Sequence, residues 1–253
     1  METLERKGTK TLKLQLTDAT EFTNFLKRFS PISGSLLIEL EDGYLKAKTH
    51  TPERSVVKAS KIELSRVFNI ETVDEPIIFG VYSVDKLINS FSHFNENDLN
   101  FTIQLEKTPE GIVGTDLVLQ GFNLKIVFQC ATLRLFTHIT DEMMDRIADT
   151  SSAEVNFVLT KEVQARVNSL TKIDSDQKLL TISVNGGNVN ASGKSFELNL
   201  LSIDNADANL ELSVYKSQFV FVDKEDTMVY MNEDRLIFHS LETDTKMIIG
   251  KAD

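Results

Sequence analysis

Cysteine occurs once in this 253-residue chain, no stretch of 18 apolar residues occurs, and cations are outnumbered. The lone Cys130 excludes an internal disulfide and fits a reducing compartment. It alternates with Ile126 and Phe128 on one face of an apparent strand, which reads as a core thiol rather than a nucleophile. Without a long apolar run, and with a polar, charged stretch at Met1–Lys10 instead of a signal peptide, the expected location is the cytoplasm. Histidine is scarce too: His50, His93, His138 and His239 stand at no metal-ligand spacing to one another or to Cys130, which argues against zinc. With 27 Lys and Arg against 38 Asp and Glu, the formal charge is −11. Such a surface stays soluble and does not coat nucleic acid uniformly.

What is present is β-structure. Apolar residues make up 41% of the chain, ample for real cores. They alternate in period two over Leu36–Leu40, Ile77–Val81, Leu99–Leu105, Leu117–Phe128, Leu179–Val184, Phe196–Leu200, Leu210–Val214, Met228–Met231 and Leu236–Phe238. Turn signals separate them at Glu41-Asp42-Gly43, Pro109-Glu110-Gly111, Asn185-Gly186-Gly187 and Asn232-Glu233-Asp234. A few short helical patterns interrupt the strands, which predicts an α+β protein.

The pattern occurs twice. Lys13–Thr17 reads as a strand, Asp18–Ser30 as a helix and Gly34–Lys48 as a hairpin. The order recurs about 143 positions on in Asn156–Thr160, Lys161–Ile173 and Leu179–Ala191. Leu16-Thr17 then corresponds to Leu159-Thr160, and Ile38, Gly43 and Ala47 to Ile182, Gly187 and Ala191. A weaker echo pairs Val81-Tyr82-Ser83, opening a helix over Ser83–Phe94, with Val214-Tyr215-Lys216. The segment Tyr215–Asp226 reads either as the fourth helix or, through Phe219–Val222, as strand. Duplication predicts two domains, 1–130 and 154–253, joined by a connector over 131–153.

At 100° per residue the helices share a recipe. Phe22, Phe25, Leu26 and Phe29 form one buried stripe, with Thr20, Asn24 and Lys27 opposite and Arg28 flanking. Val84, Leu87, Ile88 and Phe91 form the second, leaving Lys86, Asn89 and His93 outward. Val163, Val167 and Leu170 form the third, leaving Lys161, Asn168 and Lys172 outward and Arg166 at the side. Acids concentrate elsewhere, in Glu39–Asp42, Glu71–Glu75, Asp141–Asp145 and Asp223–Asp226. Solvent faces commonly carry lysine, but agreement between equivalent helices in an acidic chain points to an anionic partner.

Catalytic motifs do not emerge. Asp204–Asn209 looks calcium-like, yet lacks the glycine at the sixth loop position and has Tyr215 where the twelfth-position acid belongs. Gly186-Gly187 precedes no helix and no phosphate-binding lysine, so it is a hairpin turn. Neither a cofactor nor a resident metal is expected.

A β-rich duplicated chain with cationic helix faces resembles the sliding clamps, the processivity factors of DNA polymerases, and is most similar to those of T-even-type bacteriophages. Leu16-Thr17-Asp18, Phe25–Phe29 and Ile32-Ser33-Gly34 carry the likeness in the first helix unit. Val81-Tyr82-Ser83 with Leu87–Phe91, and Leu180–Ser192, carry it further on. The likeness is diffuse and covers most of the chain. It implies DNA-clamp domains, each of β-sheets with two short helices, assembled as a ring-forming homotrimer. Helices would line the hole, a loader would open the ring, and polymerase would bind by a short peptide near the connector. A clamp performs no chemistry. The resemblance assigns sequence-independent contact with duplex DNA to Lys27, Arg28, Lys86, His93, Lys161, Arg166, Lys172 and Lys216. It assigns the peptide pocket to apolar residues of the connector, Leu133, Leu135, Phe136, Met143, Met144 and Ile147, and of the tail, Met247, Ile248 and Ile249. A viral clamp would work in the host-cell cytoplasm. A β-rich virion protein or interaction scaffold, and an enzyme on a duplicated scaffold, remain the rival readings.

Overall fold

Strand alternation and short turns organise the chain. The computed structural model of the protein describes residues 10–94, 99–109, 111–174, 176–205 and 207–252. Glu110 of one expected turn and Ala206 of the calcium-like string lie outside the described residues. The chain divides into two units, Met1–Thr49 with Ser60–His138, and His50–Ala59 with Ile139–Asp253.

The first unit contains β1 (Lys10–Gln15), α1 (Ala19–Lys27), β2 (Leu36–Glu41) and β3 (Tyr44–His50). The second half of β4 (Val56–Glu63) and the single turn α2 (Leu64–Val67) follow. Then come β5 (Ile77–Val81), α3 (Val84–Phe91), β6 (Asn100–Thr108), β7 (Gly111–Gln120) and β8 (Lys125–Gln129). Strand order is β1–β6–β7–β5–β2–β3, with β8 also on β7. The β5–β7 pairing is parallel, Ile77 beside Ile112, while β2 meets β3 antiparallel with Ile38 opposite Ala47. The β2–β3 turn needs two positive φ angles, 52° at Asp42 and 79° at Gly43, which is why an Asp-Gly pair stands there. Behind the helices, Phe22 packs on Phe68, Phe91 and Phe101 with ring centroids 5.6 Å away in each case.

The second unit contains α4 (Asp141–Ile147), β9 (Val155–Leu159), α5 (Lys161–Leu170), β10 (Leu179–Asn185) and β11 (Asn188–Ser192). Next are β12 (Glu197–Ser202), β13 (Asn209–Tyr215), α6 (Lys216–Phe219), β14 (Thr227–Met231), β15 (Arg235–Ser240) and β16 (Asp244–Gly250). One sheet runs β9–β14–β15–β16 and the other β12–β11–β10–β13. The β10–β11 turn repeats the first, with φ of 55° at Gly186 and 79° at Gly187. The segment His50–Ala59 joins this unit beside β16, where the Gly250 N–H donates to the Ser55 carbonyl at 2.8 Å.

Mixed α+β architecture with many strands and few helices is what the sequence predicts, and four local expectations change. Leu117–Phe128 is not one strand: Gly121–Leu124 turns it into the β7–β8 hairpin, closed by the Gly121 N–H on the Leu124 carbonyl at 2.8 Å. Tyr215–Asp226 is neither full helix nor strand, since only Lys216–Phe219 makes a turn of helix. The buried stripe of α5 is Gln164 and Val167, with Val163 and Leu170 half-buried, because the Gln164 amide donates to the Val222 carbonyl at 3.0 Å. The tail Met247-Ile248-Ile249 is not surface: it is the middle of β16, and all three are buried. Its run of consecutive apolar residues follows from burial of both sheet faces. Ile248 packs with Ile139, Met144 and Ala148 around α4, while Met247 and Ile249 face the other way.

Candidate nucleic-acid interface

Helix placement starts with caps. Asp18 accepts the N–H groups of Thr20 and Glu21 at 2.8 and 2.9 Å, which starts α1 and leaves Lys27 in its last turn. The apolar stripes Phe22, Phe25, Leu26 of α1 and Val84, Leu87, Phe91 of α3 are buried, so the opposite faces must be wet. The Phe22–Phe91 edge contact sets the two helices side by side. Between them lies a shallow groove of about 420 Å³ lined by Thr20, Thr23, Lys27, Asn89 and Ser92. Lys27 and Lys86 are exposed, His93 is exposed just beyond α3, and Arg28 is half-buried on the flank.

The second unit repeats the arrangement with more charge. Thr160 Oγ1 accepts the Val163 N–H at 3.3 Å, and Asp226 Oδ1 accepts the Lys161 N–H at 2.8 Å, so two side chains satisfy the start of α5. At the other end, Lys216 Nζ donates to the carbonyls of Asp174 at 2.6 Å and Thr171 at 3.3 Å. This ties α6 to the end of α5. The groove between them measures about 780 Å³ and gathers Lys161, Lys172, Lys216 and Lys224 around Ala165, Val220 and Val222. Glu162 is the one acid at its wall. Arg166 is exposed on α5. Lys216 is the predicted contact most committed to structure, since its ammonium holds backbone carbonyls.

Sequence reasoning missed Lys224, which sits among Asp223, Glu225 and Asp226. The structure separates them. Asp223 pairs with Lys58 at 2.6 Å, Glu225 accepts from Thr243 Oγ1 at 2.8 Å, and Asp226 caps α5, while Lys224 stays exposed in the groove. The acids turn to other duties and the cation is left facing solvent. No pattern in the string Asp-Lys-Glu-Asp distinguishes these roles.

The predicted peptide residues do not assemble. Met144, Met247, Ile248 and Ile249 are core residues of the second unit and offer no surface for a ligand, a correction to the expectation. Ile147 is half-buried against the same cluster. Met143 (43% exposed) and Leu135 (69% exposed) are open to solvent, in the second and first units respectively. Leu133 and Phe136 are half-buried, and Phe136 covers Gly80 so closely that a Cβ there would lie 2.5 Å from the ring. Cys130 packs against the first core, and burial together with the neighbouring Asp116 pushes its pKa up to about 12. It is therefore a thiol at neutral pH. Among the described residues no three His, Cys, Asp or Glu side chains converge as metal ligands would.

No family model matches the chain, and no curated protein matches it in sequence. Solved structures do. Proliferating cellular nuclear antigen (PCNA) from Entamoeba histolytica superposes with a TM-score of 0.66 at 13% identity, covering 96% of this chain and 98% of that one. A chain of the PCNA2–PCNA3 complex from Sulfolobus tokodaii gives 0.64 at 13% identity, over 95% of this chain and 99% of that one. A chain of A. fulgidus PCNA bound to the C-terminal region of FEN-1 gives 0.65 at 10% identity, over 95% and 98%. The chain has the fold of the PCNA sliding clamps along nearly all its length.

Proposed function

We propose that this chain is the subunit of a sliding clamp that encircles duplex DNA and tethers a DNA polymerase, without chemistry of its own. The observation that carries the reading is the repeated helix pair. Each unit presses the apolar stripes of two helices onto its strands and turns a cation-bearing face to solvent, in a chain whose formal charge is −11. The clamp fold supports it, as does the lysine-lined groove of the second unit.

Exposed lysines on short helices attract phosphate by releasing counterions, with no reading of base edges. Affinity should therefore fall steeply with salt and be indifferent to sequence. Holding a duplex by topology needs only weak attraction, and sliding needs the absence of a grip. Tethering then multiplies the effective concentration of polymerase at the primer end. We assign the DNA face to Lys27, Lys86, Lys161, Arg166, Lys172 and Lys224, with Arg28, His93 and Lys216 at its margins.

The same reading makes the assembly a homotrimeric ring of two-domain chains, 1–130 and 154–253 joined through 131–153, opened by a clamp loader and working in the cytoplasm. Its affinity to T-even-type phage clamps rests on the sequence motifs quoted above. The test is retention on DNA. Loaded protein should stay on nicked circles through gel filtration in high salt and run off once the circle is cut. Equal loss from circular and linear DNA would overturn the proposal.

A further inference from the structure

We propose that β8 of one copy pairs antiparallel with β12 of a second copy, with Lys125 opposite Glu197. The proposal rests on the ring reading and names the contact that closes it.

The internal repeat supplies the argument. In the first unit the Ala131 N–H donates to the Gly80 carbonyl at 2.8 Å, and in the second the Ala252 N–H donates to the Ser213 carbonyl at 2.8 Å. Gly80 and Ser213 stand one residue before the matching Val81 and Val214, so β8 corresponds to β16, Val127 to Ile248 and Ile126 to Met247. The hairpins correspond as well: Ala191 faces Leu198 across β11–β12. The Thr51 N–H to Val56 carbonyl bond sets Ala47 across from Ser60 by the same alternation. Phe196, Glu197 and Leu198 are then the counterparts of Lys58, Ala59 and Ser60.

The two copies of the motif differ in one respect. In the second unit β16 is covered: Gly250 binds Ser55, and Ile248 packs on Val57 and Ala59. In the first unit β8 pairs with β7 alone, and β12 likewise pairs only with β11. An unpaired edge seeks a strand. Its equivalent, Val127, is 53% exposed where Ile248 is 7% exposed.

Transferring the register of β16 beside Ser55–Ala59 onto β8 and β12 gives matched faces. On one face Leu124 meets Leu198 and Ile126 meets Phe196, while Phe122 at the hairpin tip, 97% exposed in the single chain, reaches Leu200. On the other face Lys125 meets Glu197 and Asn123 meets Asn199. Apolar residues meet apolar residues, opposite charges meet, and the contact is head-to-tail, so it propagates and closes into a ring.

Two experiments on the full chain decide it. In a Cys130→Ser background, N123C with N199C treated with a short bis-maleimide should give covalently linked oligomers up to the full ring, while each single cysteine gives none. Separately, K125E and E197K should each weaken assembly by at least about tenfold, and the double exchange should restore it. An assembled protein that fails to cross-link, or whose mass is unmoved by both charge reversals, overturns this junction. Retention on nicked circles reports the clamp reading independently, and a retained ring without cross-linking would sink the junction alone.

Discussion

Lys58 is 1% exposed, and its ammonium sits 2.6 Å from Asp223 Oδ1 and 3.0 Å from the Phe221 carbonyl. Asp223 is wetter, at 18%. That asymmetry ranks three variants. Asp223→Ala leaves a desolvated ammonium without its carboxylate and should cost about 3–5 kcal/mol. Lys58→Met removes the ion with the larger desolvation penalty, fills its volume and leaves a carboxylate that water can reach, for about 1–2 kcal/mol. The double variant should fall within about 1 kcal/mol of the parent, because neither charge then remains to be solvated. Urea unfolding of the full chain reads this directly. At an m-value of about 2–3 kcal/mol/M, Asp223→Ala should lower the midpoint by about 1–2 M with m unchanged. The reasoning is refuted if Asp223→Ala costs no more than Lys58→Met, or if the double variant is as unstable as Asp223→Ala.

Reversing Lys27, Lys86, Lys161 and Lys172 to Glu should abolish retention on circular DNA while sedimentation shows the parent's mass; undiminished retention would remove those faces from the DNA contact. His239, in contact with the Tyr230 ring at 5.1 Å, has its pKa held below 6.5, first by burial and then by Lys246. Its folded-state value is depressed, so its contribution to stability is present above about pH 6.5 and fades on acidification. His239→Gln should flatten the acid side of a Tm-against-pH curve, and an unchanged slope would exclude His239 as its source. Gly80→Ala drives a Cβ to 2.5 Å from the Phe136 ring and 2.8 Å from the Ala131 carbonyl, so a loss of about 1–3 kcal/mol is expected in thermal unfolding. Restoration of stability by adding Phe136→Leu would assign part of that loss to the ring.

Elements with a clean period were legible in the sequence. Ile38 and Ala47, or Ile182 and Ala191, alternate beside turns whose Asp-Gly and Gly-Gly pairs meet a need for positive φ, and both hairpins form with those partners. The outward cations of α1, α3 and α5 were legible because the inward Phe22, Leu87 and Val167 set the phase of each helix. Strand β4 was hidden by Lys58, a charged residue at an inward position whose partner lies 165 residues away. Strand β16 was hidden because burial on both faces erases alternation. Lys224 was hidden by three neighbouring acids whose partners only the fold supplies. In each case a distant contact decides what a local pattern cannot encode.

The segment His50–Ala59 belongs to the second unit although it lies within the first half of the chain. During synthesis it leaves the ribosome long before the strand it flanks, and must wait, unpaired on that side, until the final residues arrive. A fragment starting at Ile139 would lack it altogether, so cutting the gene between the repeats should yield one piece with a surplus strand and another with a missing one. Mixing the two pieces, rather than refolding either alone, is the way to recover the whole.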